Sequence, residues 1–136
     1  MIGDLEKFDG FLLIREAFVF IPGDPVGYYA QGARPNWGRM LRYREWKREV
    51  QAMVRLETGL RLPLSASAEE PAYIQTAAFF RSGVHPDPEN VHKGVKDALF
   101  YHAKGGDKWT AGRYEWPIRS FRPGVNLWIS LWRRKR

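Results

Sequence analysis

The residues best suited to chemistry lie in one stretch, His85 to Leu99, HPDPENVHKGVKDAL. Pro88 fits the first turn of a helix, where its fixed φ is already helical and its missing N–H would find no partner anyway. Asp87 then becomes the N-cap, its carboxylate accepting from a first-turn amide. Val91, Val95, Ala98 and Leu99 recur every three to four residues and mark the buried face of a short helix reaching about Tyr101. Residues three or four apart are helix neighbours, so Glu89, Asn90, Lys93 and Asp97 gather around its first two turns. Mg²⁺ takes hard oxygen ligands and needs only one or two carboxylates plus phosphate oxygens. Asp87 and Glu89 meet that need. Lys93 can neutralise phosphate charge or help deprotonate a water, and Asn90 can place a phosphate oxygen or an aspartate. That is the outline of a metal-dependent phosphodiesterase site. The same residues also fit a plainer role, with Asp87 only a cap and Glu89, Lys93 and Asp97 an exposed ladder worth about 0.3–0.5 kcal/mol per pair.

The elements that must position these groups follow from patterning. Residues 1–13 read as an N-terminal extension anchored by Leu5, Phe8, Phe11 and Leu12. Arg15 to Ile21 reads as a strand that is apolar on both faces, as for a central strand in a covered sheet, and Pro22-Gly23-Asp24-Pro25 stops it. Val26 to Gly38 has no period and is expected to be a loop. There Arg34 could meet phosphate, and Tyr28, Tyr29 or Trp37 could either stack on an unpaired base or cover the core edge. A helical period then runs from Arg39 to about Leu56, with Tyr43, Trp46, Val50 and Met53 on one face. Arg44, Arg48, Gln51 and Arg55 form the opposite stripe, and Glu45, Glu49 and Glu57 interrupt it, so it suits phosphate contact or a solvated face. Gly59 ends that helix.

Ala72 to Arg81 is the next strand and delivers the chain to Asp87. Gly105-Gly106 offers a turn that could carry Asp107 back toward Asp87. Tyr114 to Arg119 reads as one strand, placed at an edge by Pro117, and Val125, Leu127, Ile129 and Leu131 alternate as the last. Arg133 to Arg136 reads as a basic tail serving phosphate contact or solubility. The expected fold is one α+β domain with a mixed β-sheet and two main helices packed on it, in β-α-β-α-β-β order.

Composition narrows the function classes. At 136 residues the chain suits one domain that buries about two-thirds of its unfolded surface, and 44% hydrophobic content excludes disorder throughout. No cysteine is present, which removes disulfides and thiolate metal sites. The histidines, at 85, 92 and 102, lack zinc spacing and read as surface or packing residues, so any metal is expected on oxygen. No apolar run reaches the roughly eighteen residues of a membrane span, and the N-terminus is not a basic leader, so a cytoplasmic chain is expected. The net charge of +7 favours a polyanionic partner.

The pattern Asp-x-(Asp/Glu)-Asn-x-x-Lys-x-x-x-Asp-Ala-Leu, carried by Asp87, Glu89, Asn90, Lys93, Asp97, Ala98 and Leu99, resembles the signature of the RusA-type Holliday junction resolvases. Val19 to Gly27, VFIPGDPVG, is similar to that family's first strand and Pro-Val turn, and PGVNLWISL to its closing strand. The resemblance spans roughly Phe18 to Leu131. It implies a homodimeric endodeoxyribonuclease acting on four-way DNA with Mg²⁺ or Mn²⁺. Asp87, Glu89 and Asp107 would hold metal, Lys93 would act on the phosphate or the water, Asn90 would support the metal shell, and Asp97 would orient Lys93. Arg34, Arg44, Arg48, Lys108, Arg133 and Arg134 are the expected DNA contacts. Glu89 stands where the family has a second aspartate, and Gly105-Gly106-Asp107 where it has an acidic pair. That second departure motivates an alternative, a branched-DNA-binding protein that has lost catalysis. A restriction-type nuclease fits less well, because it places an acid and a lysine two apart on a strand, whereas Glu89 and Lys93 are four apart on a helix.

Overall fold

In the computed structural model, which describes residues 8–30, 36–103 and 106–136, the chain runs through seven elements. They are β1 (Phe11–Pro22), α1 (Trp37–Thr58), β2 (Ala72–Phe80), α2 (Pro88–Leu99), β3 (Thr110–Tyr114), β4 (Ile118–Arg119) and β5 (Gly124–Arg134). This is the expected α+β class with a mixed sheet. The strand order is β1-β5-β2-β3, and β4 also pairs with β2. β5 is antiparallel to both β1 and β2, while β3 and β4 run parallel to β2.

Strand β1 sits at the edge of the sheet rather than at its centre. Val19 and Ile21 are buried, whereas Phe18 is 67% exposed and stacks on Trp128 at 5.8 Å. Its apolar residues on both faces therefore do not signal a covered strand. One face meets the core, and the other meets only a neighbouring ring. β1 begins at Phe11, so residues 11–13 belong to the sheet, and Phe8 packs against Tyr73 and Trp132. The single strand expected over 114–119 is two short ones. Pro117 has no N–H to give the ladder, which breaks after Tyr114 and resumes where Ile118 pairs with Phe79. Arg133 and Arg134 are the last residues of β5, opposite Leu12 and Phe11, rather than a tail.

Helix α1 starts at Trp37 because Asn36 caps it, its side chain accepting from the Arg39 amide at 3.1 Å. It ends at Gly59, whose φ of 70° suits a residue without Cβ. Met40, Tyr43, Trp46, Val50 and Val54 are buried, with Val54 taking the place expected of Met53, which is only partly covered. Helix α2 lies across the same core through Val91, Val95, Ala98 and Leu99 and stops at Leu99.

The two helices meet closely at Gly94. A Cβ there would lie 3.0 Å from the Trp46 ring and 3.2 Å from the Tyr43 ring. One turn on, Asp97 accepts hydrogen bonds from the Tyr43 hydroxyl at 2.7 Å and the Lys47 ammonium at 2.9 Å. Burial, and then the bond to Asp97, holds the Tyr43 hydroxyl well above its ordinary pKa, so it stays a donor. Among the described residues no helix is long and apolar enough to cross a membrane. Gly94→Leu is expected to force the helices apart and to destabilise the fold by about 1–3 kcal/mol, read as a lower urea midpoint at unchanged m-value.

Candidate functional site

Because β5 runs antiparallel to both β1 and β2, those two strands point the same way and their C-terminal ends share one edge of the sheet. The loops leaving them, together with the N-terminal turns of α1 and α2, enclose an open cleft of about 650 Å³. Asp24 comes from the loop after β1, and Arg81, His85 and Asp87 from the loop after β2. Arg39 and Arg42 come from α1, and Asn90 from α2. The Tyr28 amide donates to the Asn90 carbonyl at 2.9 Å, which ties the first loop to α2. Gly27 allows that approach, since a Cβ there would stand 3.2 Å from Pro86.

Asp87 is the N-cap of α2 as expected, its Oδ1 accepting from the Glu89 amide at 2.7 Å. It also lines the cleft, so capping and a role in the site are not exclusive. Asn90 lines the cleft as well, whereas Glu89 is exposed on the first turn and is not among the lining residues. The Lys93 ammonium lies 5.7 Å from the centre of the Tyr28 ring, and Tyr28 lines the cleft. Lys93 is therefore at the rim. Asp97 does not orient it. Asp97 turns to Tyr43 and Lys47 on α1 instead, because the interface between the helices offers two donors where the surface offers one.

Asp107 is the main departure from expectation. Parallel pairing puts Thr110 beside Ala72, at the start of β2, and the Asp107 carbonyl accepts from the Thr110 amide. The Asp107 carboxylate meets the Lys96 ammonium at 3.4 Å. Lys96 is nine positions beyond Asp87, or roughly 13 Å along the helix axis. Among the described residues, no three His, Asp or Glu side chains gather as a metal site. The expected set of Asp87, Glu89 and Asp107 does not assemble. The oxygen donors that line the cleft include two carboxylates, Asp24 and Asp87, and the Asn90 amide, with the His85 ring beside them in the lining. An all-oxygen set with one or two carboxylates fits Mg²⁺ or Mn²⁺.

The expected phosphate contacts are also redistributed. Arg44 and Arg48 are exposed on α1 but do not line the cleft. Arg133 and Arg134 sit at the far end of β5, paired with Glu70 at 3.8 Å and Glu69 at 3.2 Å. Lys108 is near that end too, its ammonium 5.1 Å from the Trp109 ring centre. Arg34 lies outside the described residues, as does Gly105. The arginines that do reach the cleft are Arg39, Arg42 and Arg81, and no carboxylate lies within ion-pair distance of them among the described residues. Sequence reading missed them and Asp24, since nothing in local spacing shows that loops as far apart as Asp24 and Asp87 share one end of the sheet. Of the candidate stacking rings, Tyr29 accepts from the Asn36 amide at 2.6 Å and Tyr28 meets Tyr43 edge-on, while Trp37 is exposed.

The histidines divide by environment. The His85 ring stacks on Phe80 at 4.0 Å, and its Nδ1 lies 2.7 Å from the Pro86 carbonyl. A carbonyl only accepts, so Nδ1 carries the proton and Nε2 of the neutral ring is left as a base. His92 is buried and bonded to Thr76 at 2.8 Å. Burial chiefly, with the Lys96 ammonium beside it, lowers its pKa to about 4, against an opposing pull from Asp107.

Neither a protein-family model nor a curated protein matches this chain.

Because His92 is neutral in the fold and titrates near its ordinary pKa once unfolded, the unfolded chain binds the extra proton below pH 6.5. Its contribution is whole above that pH and is lost as pH falls toward 4. At pH 4.5 the loss amounts to about 2.5 kcal/mol. Urea titrations from pH 7.5 to 4.5 are expected to show that decline in the native chain and a flatter one in His92→Gln.

Proposed function

We propose that this protein is a structure-selective endodeoxyribonuclease that cuts four-way DNA junctions, with the cleft at the shared end of β1 and β2 as the place of phosphodiester hydrolysis. The observation that carries this reading is the cleft's composition, with two carboxylates among three arginines. Arginines alone would suit any phosphate. Two carboxylates lining the same cleft disfavour a polyanion unless cations offset them, and acids beside phosphate-binding cations are the combination metal-assisted phosphodiester hydrolysis needs. The net charge of +7 agrees with a polyanionic substrate. The resemblance to the RusA-type resolvases supplies the junction as substrate. It also supplies a C₂ homodimer, whose two equivalent sites match the near two-fold symmetry of a four-way junction. The place of action we infer is the cytoplasm.

Each residue of the cleft then has a task. Asp24 and Asp87 would hold Mg²⁺ or Mn²⁺, which when bound supplies Lewis-acid stabilisation of charge on the phosphoryl oxygens. Arg39, Arg42 and Arg81 bind the phosphates on either side of the scissile bond. His85 Nε2 takes a proton from the attacking water. Lys93, at the rim, neutralises the phosphate, and Asn90 orients the Asp87 carboxylate or a phosphate oxygen. A second reading, junction binding without cleavage, draws on the fact that among the described residues only two carboxylates reach the cleft.

The test is cleavage of a synthetic four-way junction in Mg²⁺ or Mn²⁺, with linear duplex as control. Paired nicks in the junction alone are expected. Asp87→Asn keeps the helix cap, since Asn caps as well as Asp, and is expected to reduce cleavage about 100-fold or more while junction binding persists. Asp24→Asn is expected to act alike, and His85→Gln to slow cleavage at unchanged affinity. Asp107→Asn, which gives up a half-exposed ion pair worth about 0–1 kcal/mol and a minor pull on His92, is expected to cleave like the native chain. A junction bound but uncut with either metal would establish the second reading. Loss with Asp107→Asn but not Asp24→Asn would move the site away from this cleft.

A further inference from the structure

The segment from Trp116 to Pro123, WPIRSFRP, carries β4 and the turn into β5, and the cleft does not account for it. It presents two large rings to solvent, Phe121 at 102% and Trp116 at 87% relative exposure. The segment is nevertheless held firmly. The Ser120 amide donates to the Phe80 carbonyl at 2.9 Å, the Gly23 amide donates to the Pro123 carbonyl at 3.1 Å, and Ser120 Oγ accepts from the Arg122 amide at 3.1 Å. Pro117 and Pro123 restrict it further. Phe80 and Gly23 adjoin Arg81 and Asp24, so the segment is bonded to the two loops that frame the cleft.

Its charge indicates what it would meet. Arg119 and Arg122 flank Phe121 and are exposed, and no carboxylate lies within ion-pair distance of either among the described residues. The nearest acid in sequence, Glu115, is engaged by Arg113 at 3.3 Å. Rings interleaved with uncompensated cations suit a strand of nucleic acid whose bases are free to stack and whose phosphates need neutralising. A second copy of a +7 chain, bringing its own Arg119 and Arg122, would be repelled from the same surface.

The geometry points to Trp116 and Phe121 as a stacking platform for unpaired DNA bases beside the cleft, with Arg119 and Arg122 on the adjoining phosphates. This rests on the nuclease reading and deepens it. The selected substrate is a strand with unstacked bases, as at a branch point, over continuous duplex, because only exposed base faces can cover the rings.

The test uses the full chain in metal-free buffer, where nothing is cut. Anisotropy is followed with a labelled single strand, a four-way junction and a duplex of the same sequences. Trp116→Ala/Phe121→Ala is expected to weaken the single strand and the junction by about tenfold for each ring removed, and the duplex by less than about twofold. Its thermal midpoint should not move, since both rings are exposed. Arg119→Gln/Arg122→Gln is expected to weaken all three and to lower the salt slope by about two. Equal binding of single strand by the native chain and the double ring variant would overturn the platform and leave the nuclease reading standing. A ring variant that keeps its DNA affinity but changes sedimentation would make the segment an interface between copies, which also overturns it. No binding of any DNA by the native chain would sink both readings.

Discussion

The close seating of α2 on α1 is the contact on which the rest of the site depends. Gly94 lets the helix axis approach to the thickness of the Trp46 and Tyr43 rings, and Asp97 locks that approach with two donors from α1. Gly94 lies in the middle of α2 and Asp97 in its last turn, and neither lines the cleft. What they fix is the direction of the helix, and so where its N-terminal end delivers Asp87. The Tyr28–Asn90 backbone bond then draws the loop after β1 onto the same end. A larger residue at 94 would therefore act on the cleft by turning the helix, and its Cβ would also stand 3.7 Å from the Tyr28 backbone nitrogen.

Sheet topology supplies the second half of the arrangement. With β5 between β1 and β2 and antiparallel to each, two loops far apart in sequence emerge side by side. The sheet also sorts charge. At its far end Arg133, Arg134 and Lys96 face Glu70, Glu69 and Asp107, and these surface pairs neutralise one another at little gain in stability. At the cleft end Arg39, Arg42 and Arg81 face no acid within ion-pair distance among the described residues, and the carboxylates present, Asp24 and Asp87, line an open cleft. The cleft therefore keeps three arginines without an acid partner among the described residues, whereas the cations at the far end are offset by neighbouring carboxylates.

His92 shows how much of a polar residue's character comes from its surroundings. Three positions before Val95 on α2, it faces the sheet, bonds Thr76 and is kept neutral by burial. His85 lies on the loop of the same stretch, stacked on Phe80 at the mouth of the cleft, with its tautomer set by the Pro86 carbonyl. One is a structural peg between layers, and the other lines an open cleft. Residue type alone would not separate them.

Local order was legible in the residues themselves. The cap at Asp87, the apolar stripe of α2, the Gly59 stop of α1, the strand before the site and the α+β class all follow from steric and hydrogen-bonding rules that act over a few positions. Which residues would meet across the chain was not legible. Spacing placed Lys93 and Asp97 on one helix face, but Asp97 found better donors on α1. A glycine turn allowed Asp107 to return toward Asp87, but parallel pairing of β3 with β2 held it at the other end of the helix. Asp24, Arg39, Arg42 and Arg81 carried no mark of their shared cleft, because that nearness comes from strand direction and sheet order. Those are decided by long-range pairing and burial, which compare the whole chain at once and leave no trace in any short stretch of it.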